Sequence, residues 1–159
     1  NRMIHIAKSI DYKQLGVSSA SFMAGGEIPV KHTCDGANTS PPLDIKGIPE
    51  GAVCLTLIMD DPDGPIGTWV HWVVWNIPVT HHIKENEIHG IEGLNDFQQH
   101  HYGGPCPPSG THHYYFKIYA LNALLDLPGI TKRFQLEKAM SEHIIAYGEL
   151  MGLYARNKQ

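Results

Sequence analysis

The sequence has only three cysteines, Cys34, Cys54 and Cys106, in 159 residues. Widely spaced and odd in number, they make no complete disulfide framework, and the simplest reading is three free thiols in a cytoplasmic protein. Cys106, in a loop, should meet a thiol reagent first. No apolar run approaches the roughly 18 residues that suggest a membrane span. Charge is scarce as well: charged residues make up 18% of the chain and the net charge is −4. That balance gives no reason to expect binding to nucleic-acid phosphates, and no basic amphipathic helix is present to lie on a membrane. Apolar residues at 42% exclude a disordered chain. The phosphate-binding loop, the dinucleotide fingerprint, the Gly-x-Ser-x-Gly elbow, Cys-x-x-Cys pairs and the His-Glu-x-x-His helix are all missing. No catalytic residue, metal or cofactor is therefore assigned. The chain opens at Asn1 rather than Met, so a periplasmic or exported protein with its leader removed is the alternative to the cytoplasm.

What is present is strand. In Val53-Cys54-Leu55-Thr56-Leu57-Ile58-Met59, positions 53, 55, 57 and 59 share one face and all are apolar. The run from Thr68 to Trp75 is aromatic and β-branched on both faces, as in a strand covered on both sides. Tyr114 to Leu121 is a third strong strand; Phe22 to Met23, Leu43 to Ile45 and Leu150 to Tyr154 are shorter candidates. Gly- and Pro-rich clusters punctuate these segments. Apolar residues recur at three- and four-residue steps through Leu136, Ala139, Met140, His143, Ile144 and Tyr147, which predicts a helix near residues 133–146. The expectation is one domain over 1–159. It should be a mainly β, antiparallel sandwich of two sheets with a C-terminal helix and short helical turns.

Three features could carry chemistry. Asp60-Asp61-Pro62-Asp63-Gly64-Pro65 ends an apolar strand on a proline-stiffened turn, where carboxylates would stand pre-oriented at a pocket rim; a plain turn explains the same residues. Among eleven histidines, the adjacent pairs His81-His82 and His100-His101 read as solvated surface, since neighbours along a strand point to opposite faces. His71 shares a face with Trp69, Val73 and Trp75, and His112 shares one with Tyr114. Finally, Gly103-Gly104-Pro105-Cys106-Pro107-Pro108-Ser109-Gly110 combines exposed backbone N–H groups with a stiff, donor-free wall.

Taken together, Asp61-Pro62-Asp63-Gly64-Pro65, the His71 of Trp69-Val70-His71-Trp72 and Gly110-Thr111-His112-His113-Tyr114 resemble the phosphatidylethanolamine-binding protein family. His32-Thr33-Cys34-Asp35-Gly36, Ser40-Pro41-Pro42-Leu43 and the Tyr102 to Gly110 segment are similar to its bacterial and archaeal Raf-kinase-inhibitor-like branch. The resemblance runs from about Ser21 to Tyr154. It implies a β-sandwich with a small anion pocket lined by Asp61 and His71, with His112 and Tyr114 opposite. Gly64, Pro65, Pro107 and Pro108 would form the rim, and Asp63 would hold the turn. The family usually has Arg where this chain has His113, so an ion pair made by that Arg is in doubt here. As a strand neighbour of His112, His113 should face away from the ligand.

The implied function is non-enzymatic binding of small anionic or phosphorylated ligands, such as phosphoethanolamine-type headgroups, with modulation of a kinase or protease partner. A metal-assisted phosphoester hydrolase built on Asp60, Asp61, Asp63, His71 and His112 is one alternative, and an interaction protein with a vestigial pocket is another. No nucleic acid or integral membrane contact is expected. The branch is often dimeric, and Leu150, Met151, Leu153 and Tyr154 could serve a homodimer interface, although an internal strand is the preferred reading. If protonated His71 and His112 both meet a phosphate, affinity should rise as pH falls from about 8 toward 6.

Overall fold

A computed structural model describes residues 13–156; the ends of the expected 1–159 domain lie outside the described residues. The centre of the molecule is β4 (Cys54–Asp61). Its alternation sends Leu55, Leu57 and Met59 into one core and Cys54 and Ile58 into another, so the whole strand is buried. Val53 falls outside the strand and is half exposed, so the shared face begins at Leu55.

β4 is flanked by β5 (Trp69–Pro78) and β8 (His112–Leu121), both antiparallel to it. With β1 (Lys13–Gln14), β7 (Ile91–Glu92) and β9 (Ile144–Tyr154) they form a six-stranded sheet in the order β1-β9-β8-β4-β5-β7. A second sheet has the order β2 (Gly16–Ser18), β3 (Leu43–Lys46), β6 (His82–Ile83). Leu43, Ile45 and Ile83 from the small sheet bury against Leu55, Leu57, Phe116 and Ile118 of the large one in a single core. The fold is therefore mainly β with two sheets. Strict antiparallel order fails at the edge, where β1 runs parallel to β9.

The second core lies on the other face of the large sheet, under helix α1 (Arg133–Met140), with Leu136 and Met140 packed on Ile58, Tyr119 and Tyr147. The helix is shorter than its periodicity suggested. Ser141 closes it by returning both its backbone N–H and its hydroxyl to the Lys138 carbonyl. From Ile144 the chain pairs with β8 along its whole length, from Leu121↔Ile144 to His112↔Tyr154. The β-branched pair Ile144-Ile145 and a ready-made antiparallel neighbour outweigh local helical spacing. The short strand expected at Leu150–Tyr154 is thus the end of a long one. Leu150 and Tyr154 are buried inside the fold, as the internal-strand reading held. The Phe22–Met23 strand is absent: Phe22 reaches the core, while Met23 is exposed in a turn. A short 3₁₀ turn occupies Val30–His32.

The largest correction concerns the thiols. Cys34 and Cys106 form a disulfide, with Cα atoms 5.4 Å apart across 72 residues of sequence. They lie on two loops already held together by hydrogen bonds, Cys34 N–H to the Pro105 carbonyl and Gly104 N–H to the side-chain Oδ1 of Asn38. Chain spacing alone could not reveal that approach. Cys54 is free, buried in the second core, and its thiol pKa is raised by burial. The inference of a reducing, cytoplasmic setting rested on three free thiols and is withdrawn. Among the described residues, no helix is long and apolar enough to cross a membrane.

Candidate functional site

The ends of β4, β5 and β8 open onto one pocket of about 280 Å³. Each strand delivers a polar side chain. β4 ends in Asp61, β8 begins with His112 and carries Tyr114 two residues on, on the same face, and β5 contributes His71. All four are at least nine-tenths buried.

His71 arrives by a device the sequence did not disclose. Met59 pairs with Trp72 and Asp60 with Val70, which leaves His71 as the extra residue of a β-bulge. A bulge re-aims side chains and breaks alternation. In consequence Val73 and Trp75 enter the second core, Trp72 enters the first, and the face expected to hold His71, Val73 and Trp75 does not exist. The ring of His71 meets Tyr114 and Phe97 edge-on, at centroid distances of 5.3 and 5.2 Å.

The hydrogen bonds fix the ring orientations. His71 Nδ1–H donates to the Gly103 carbonyl at 2.6 Å. His112 Nδ1–H donates to Asp61 Oδ2 at 2.6 Å. The other Asp61 oxygen, Oδ1, accepts the Asp63 N–H at 2.7 Å, a local turn bond. In both imidazoles Nε2 is the polar atom left over, on rings that line the pocket. Burial pushes the His71 pKa down against the opposing pull of the Gly103 carbonyl, Asp61, the Gly104 backbone and Asp96. The Tyr114 hydroxyl is buried, close to the Cys106 backbone N–H, and its own O–H finds no acceptor in the protein. Burial, reinforced by the charges of Asp61 and Asp63, pushes its pKa far up, with the Cys106 backbone pulling the other way, so it stays a phenol and a donor.

Gly64 and Pro65 form one lip, and Cys106, Pro107 and Pro108 the other. Gly64 must be glycine because a Cβ there would strike the carbonyl of Gly67, the residue whose N–H closes the turn on the Gly64 carbonyl. Asp63 is not in the wall. Its Oδ2 accepts both the backbone N–H of His113 at 2.8 Å and His113 Nδ1–H at 2.7 Å. The side chain of His113 is therefore committed to Asp63 and ties the 61–65 turn to β8. That bond to His113 is also the main reason the Asp63 carboxyl lies below its usual range. Asp60, one residue before Asp61, points to the opposite face, where Lys117 Nζ donates to it at 3.0 Å. The carboxylate-and-histidine set imagined for a hydrolase is thus split between two faces of the sheet. Among the described residues no three His, Cys, Asp or Glu side chains converge as a metal site would require. His81, His82, His100 and His101 are exposed.

Sequence reading missed Phe97 and its support. Phe97 lines the pocket beside Trp69, edge-on at 5.5 Å. Asn95, almost fully buried, builds that loop: its Nδ2 donates to the His71 and His101 carbonyls, and its Oδ1 accepts from Phe97 N–H and Gln99 N–H. No motif marks Asn95 or Phe97, since their role depends on a loop folding back across β5.

A mainly β protein of two sheets, with strand ends presenting Asp, two His and Tyr beneath a proline-walled mouth, is the class that fold and pocket define. The chain belongs to the phosphatidylethanolamine-binding protein family, whose profile matches residues 18–155. It is 51% identical over 141 residues to a UPF0098 protein of Pyrococcus abyssi, covering 81% of this chain and 79% of that one. With a UPF0098 protein of Aquifex aeolicus it shares 46% identity over 151 residues, covering 89% and 88% of the two chains. The crystal structure of a phosphatidylethanolamine-binding protein homologue from Chlamydia trachomatis superposes with a TM-score of 0.88 at 39% identity, covering 91% of this chain and 99% of that one. Escherichia coli YbcL, a member of the mammalian family, superposes with a TM-score of 0.83 at 30% identity, covering 90% and 99%.

Proposed function

We propose that this protein binds small phosphorylated or anionic groups, of the phosphoethanolamine-headgroup type, in the Asp61–His71–His112–Tyr114 pocket, without turning them over. One observation carries the reading: three hydrogen-bonding side chains from two strands of the pocket mouth, His71 of β5 and His112 and Tyr114 of β8, converge there with hydrogen-bonding capacity left over, at Nε2 of His71, Nε2 of His112 and the O–H of Tyr114. Pre-positioned groups of this kind gain affinity because little order is lost on binding. The pocket volume suits a headgroup rather than a whole lipid. A binder is favoured over the metal-assisted hydrolase because Asp60 turns to the opposite face, onto Lys117, and because the thiol and phenol in the pocket wall are not activated as nucleophiles. Cys106 is oxidised, and Tyr114 is held as a phenol by burial. By analogy with the family, the occupied pocket would present a face to a kinase or protease; fold alone does not carry that far.

Calorimetric titration with phosphoethanolamine tests the reading. His71→Gln and His112→Gln should each weaken binding by about 1–3 kcal/mol, the scale of a lost charged hydrogen bond. His113→Gln, whose side chain serves Asp63, should bind within about twofold of the parent. Normal binding by the first two variants, with loss only in His113→Gln, would overturn the assignment.

A further inference from the structure

The pocket is unusual for an anion site in what surrounds it: its lining contains no Lys or Arg. The charged groups facing it are mainly carboxylates. Asp61 on β4 and Asp96 in the loop after β7 act on His71, and Asp61 and Asp63 act on Tyr114. His112 and His113 are hydrogen-bonded to Asp61 and Asp63, and Tyr154 on β9 is the remaining titratable neighbour of Tyr114.

Hydrogen-bond polarity points the same way. With Nδ1–H spent on the Gly103 carbonyl, a neutral His71 presents Nε2 as a lone pair, an acceptor. Burial favours that neutral form. A fully ionised phosphomonoester has oxygens that only accept, so against His71 it meets lone pair with lone pair. A monoester that keeps one proton has a P–OH to donate to Nε2, while its other oxygens accept from Tyr114 O–H.

Building on the anion-pocket reading above, we propose that the site is selective for oxyanions that carry a proton, phosphomonoester monoanions above all, and discriminates against proton-free oxyanions of the same size and charge. The complex holds one proton between ligand oxygen and His71 Nε2, and a contact of the same anion with His112 Nε2, whose Nδ1–H is spent on Asp61, takes a second proton on that imidazole. Below the second pKa of a phosphomonoester, near 6, the ligand brings the first proton; above it, binding draws that one from solvent. The rise in affinity expected on acidification then originates mainly in the ligand, and His71 need not be charged beforehand.

Phenyl phosphate and phenyl sulfate separate these cases. At a pH of about 5.5 both are predominantly monoanions of similar shape, and only the phosphate carries a hydroxyl. Calorimetry with competition by phosphoethanolamine places each probe in the pocket. We expect phenyl phosphate to bind at least about 10-fold more tightly than phenyl sulfate. At a pH of about 7.5, titration in buffers of different ionisation enthalpy should show uptake of about one proton or more per phenyl phosphate bound. Equal affinity for the two probes, or phosphate binding at the higher pH without proton uptake, would overturn the selectivity and leave the anion pocket standing. If phosphoethanolamine and both probes fail to bind, the pocket reading falls, and the selectivity with it.

Discussion

His71 and His32 are both buried histidines whose pKa values are pushed down, in each case chiefly by burial. Each donates Nδ1–H to a carbonyl, His32 to Thr39 and His71 to Gly103. A lowered pKa means that the fold prefers the neutral ring. Its contribution is complete above the unfolded value of about 6.5 and is lost as pH falls through the folded value. The buried carboxyls Asp60 and Glu137 have raised values and act in the opposite sense, gaining stability on acidification. The histidine effect is therefore read as a difference. Between pH of about 7 and 5, the melting temperature of the parent should fall more steeply than that of a His32→Gln/His71→Gln double variant. Parallel slopes in differential scanning calorimetry would show that burial of these rings does not govern their titration.

At the scale of elements, the pocket depends on how its loops are tied. The Cys34–Cys106 bond joins the turn after the 3₁₀ segment to the proline wall, and Cys106 itself lines the pocket. Closing a 72-residue separation stabilises the fold by about 4 kcal/mol in the chain-entropy account. A Cys34→Ser/Cys106→Ser variant should lose stability on that scale in urea unfolding and should bind phosphoethanolamine more weakly, since its pocket wall is less constrained. Unchanged binding would show that the hydrogen bonds to the Pro105 carbonyl and the Asn38 side chain hold the wall alone. Thiol titration gives an independent check: none reactive in the native protein, Cys54 alone after denaturation, and all three after reduction.

The strands that build the site were legible because each carries its own period: Leu55–Met59 alternates, and Tyr114 follows His112 by two. The bulge was not legible, because a register slip is decided between strands and leaves no mark on one strand. The helix end was misplaced for a related reason. The 136–147 spacing satisfies a helix, but pairing with β8 captures the chain from Ile144. The disulfide and the Asn95–Phe97 loop likewise depend on approaches between segments far apart in sequence.

Taken as a whole, the molecule places two cores on opposite faces of one six-stranded sheet and puts its candidate site where three central strands end. The far-ultraviolet circular dichroism spectrum should therefore be β-dominated with a small helical component; a helix-dominated spectrum would refute the architecture. The central claim is tested most directly by a crystal structure of the protein soaked with phosphoethanolamine. The account predicts the phosphate within hydrogen-bond reach of His71 Nε2, His112 Nε2 and the Tyr114 hydroxyl, between the Gly64–Pro65 and Pro107–Pro108 lips. A headgroup bound elsewhere, with this pocket holding only water, would contradict it.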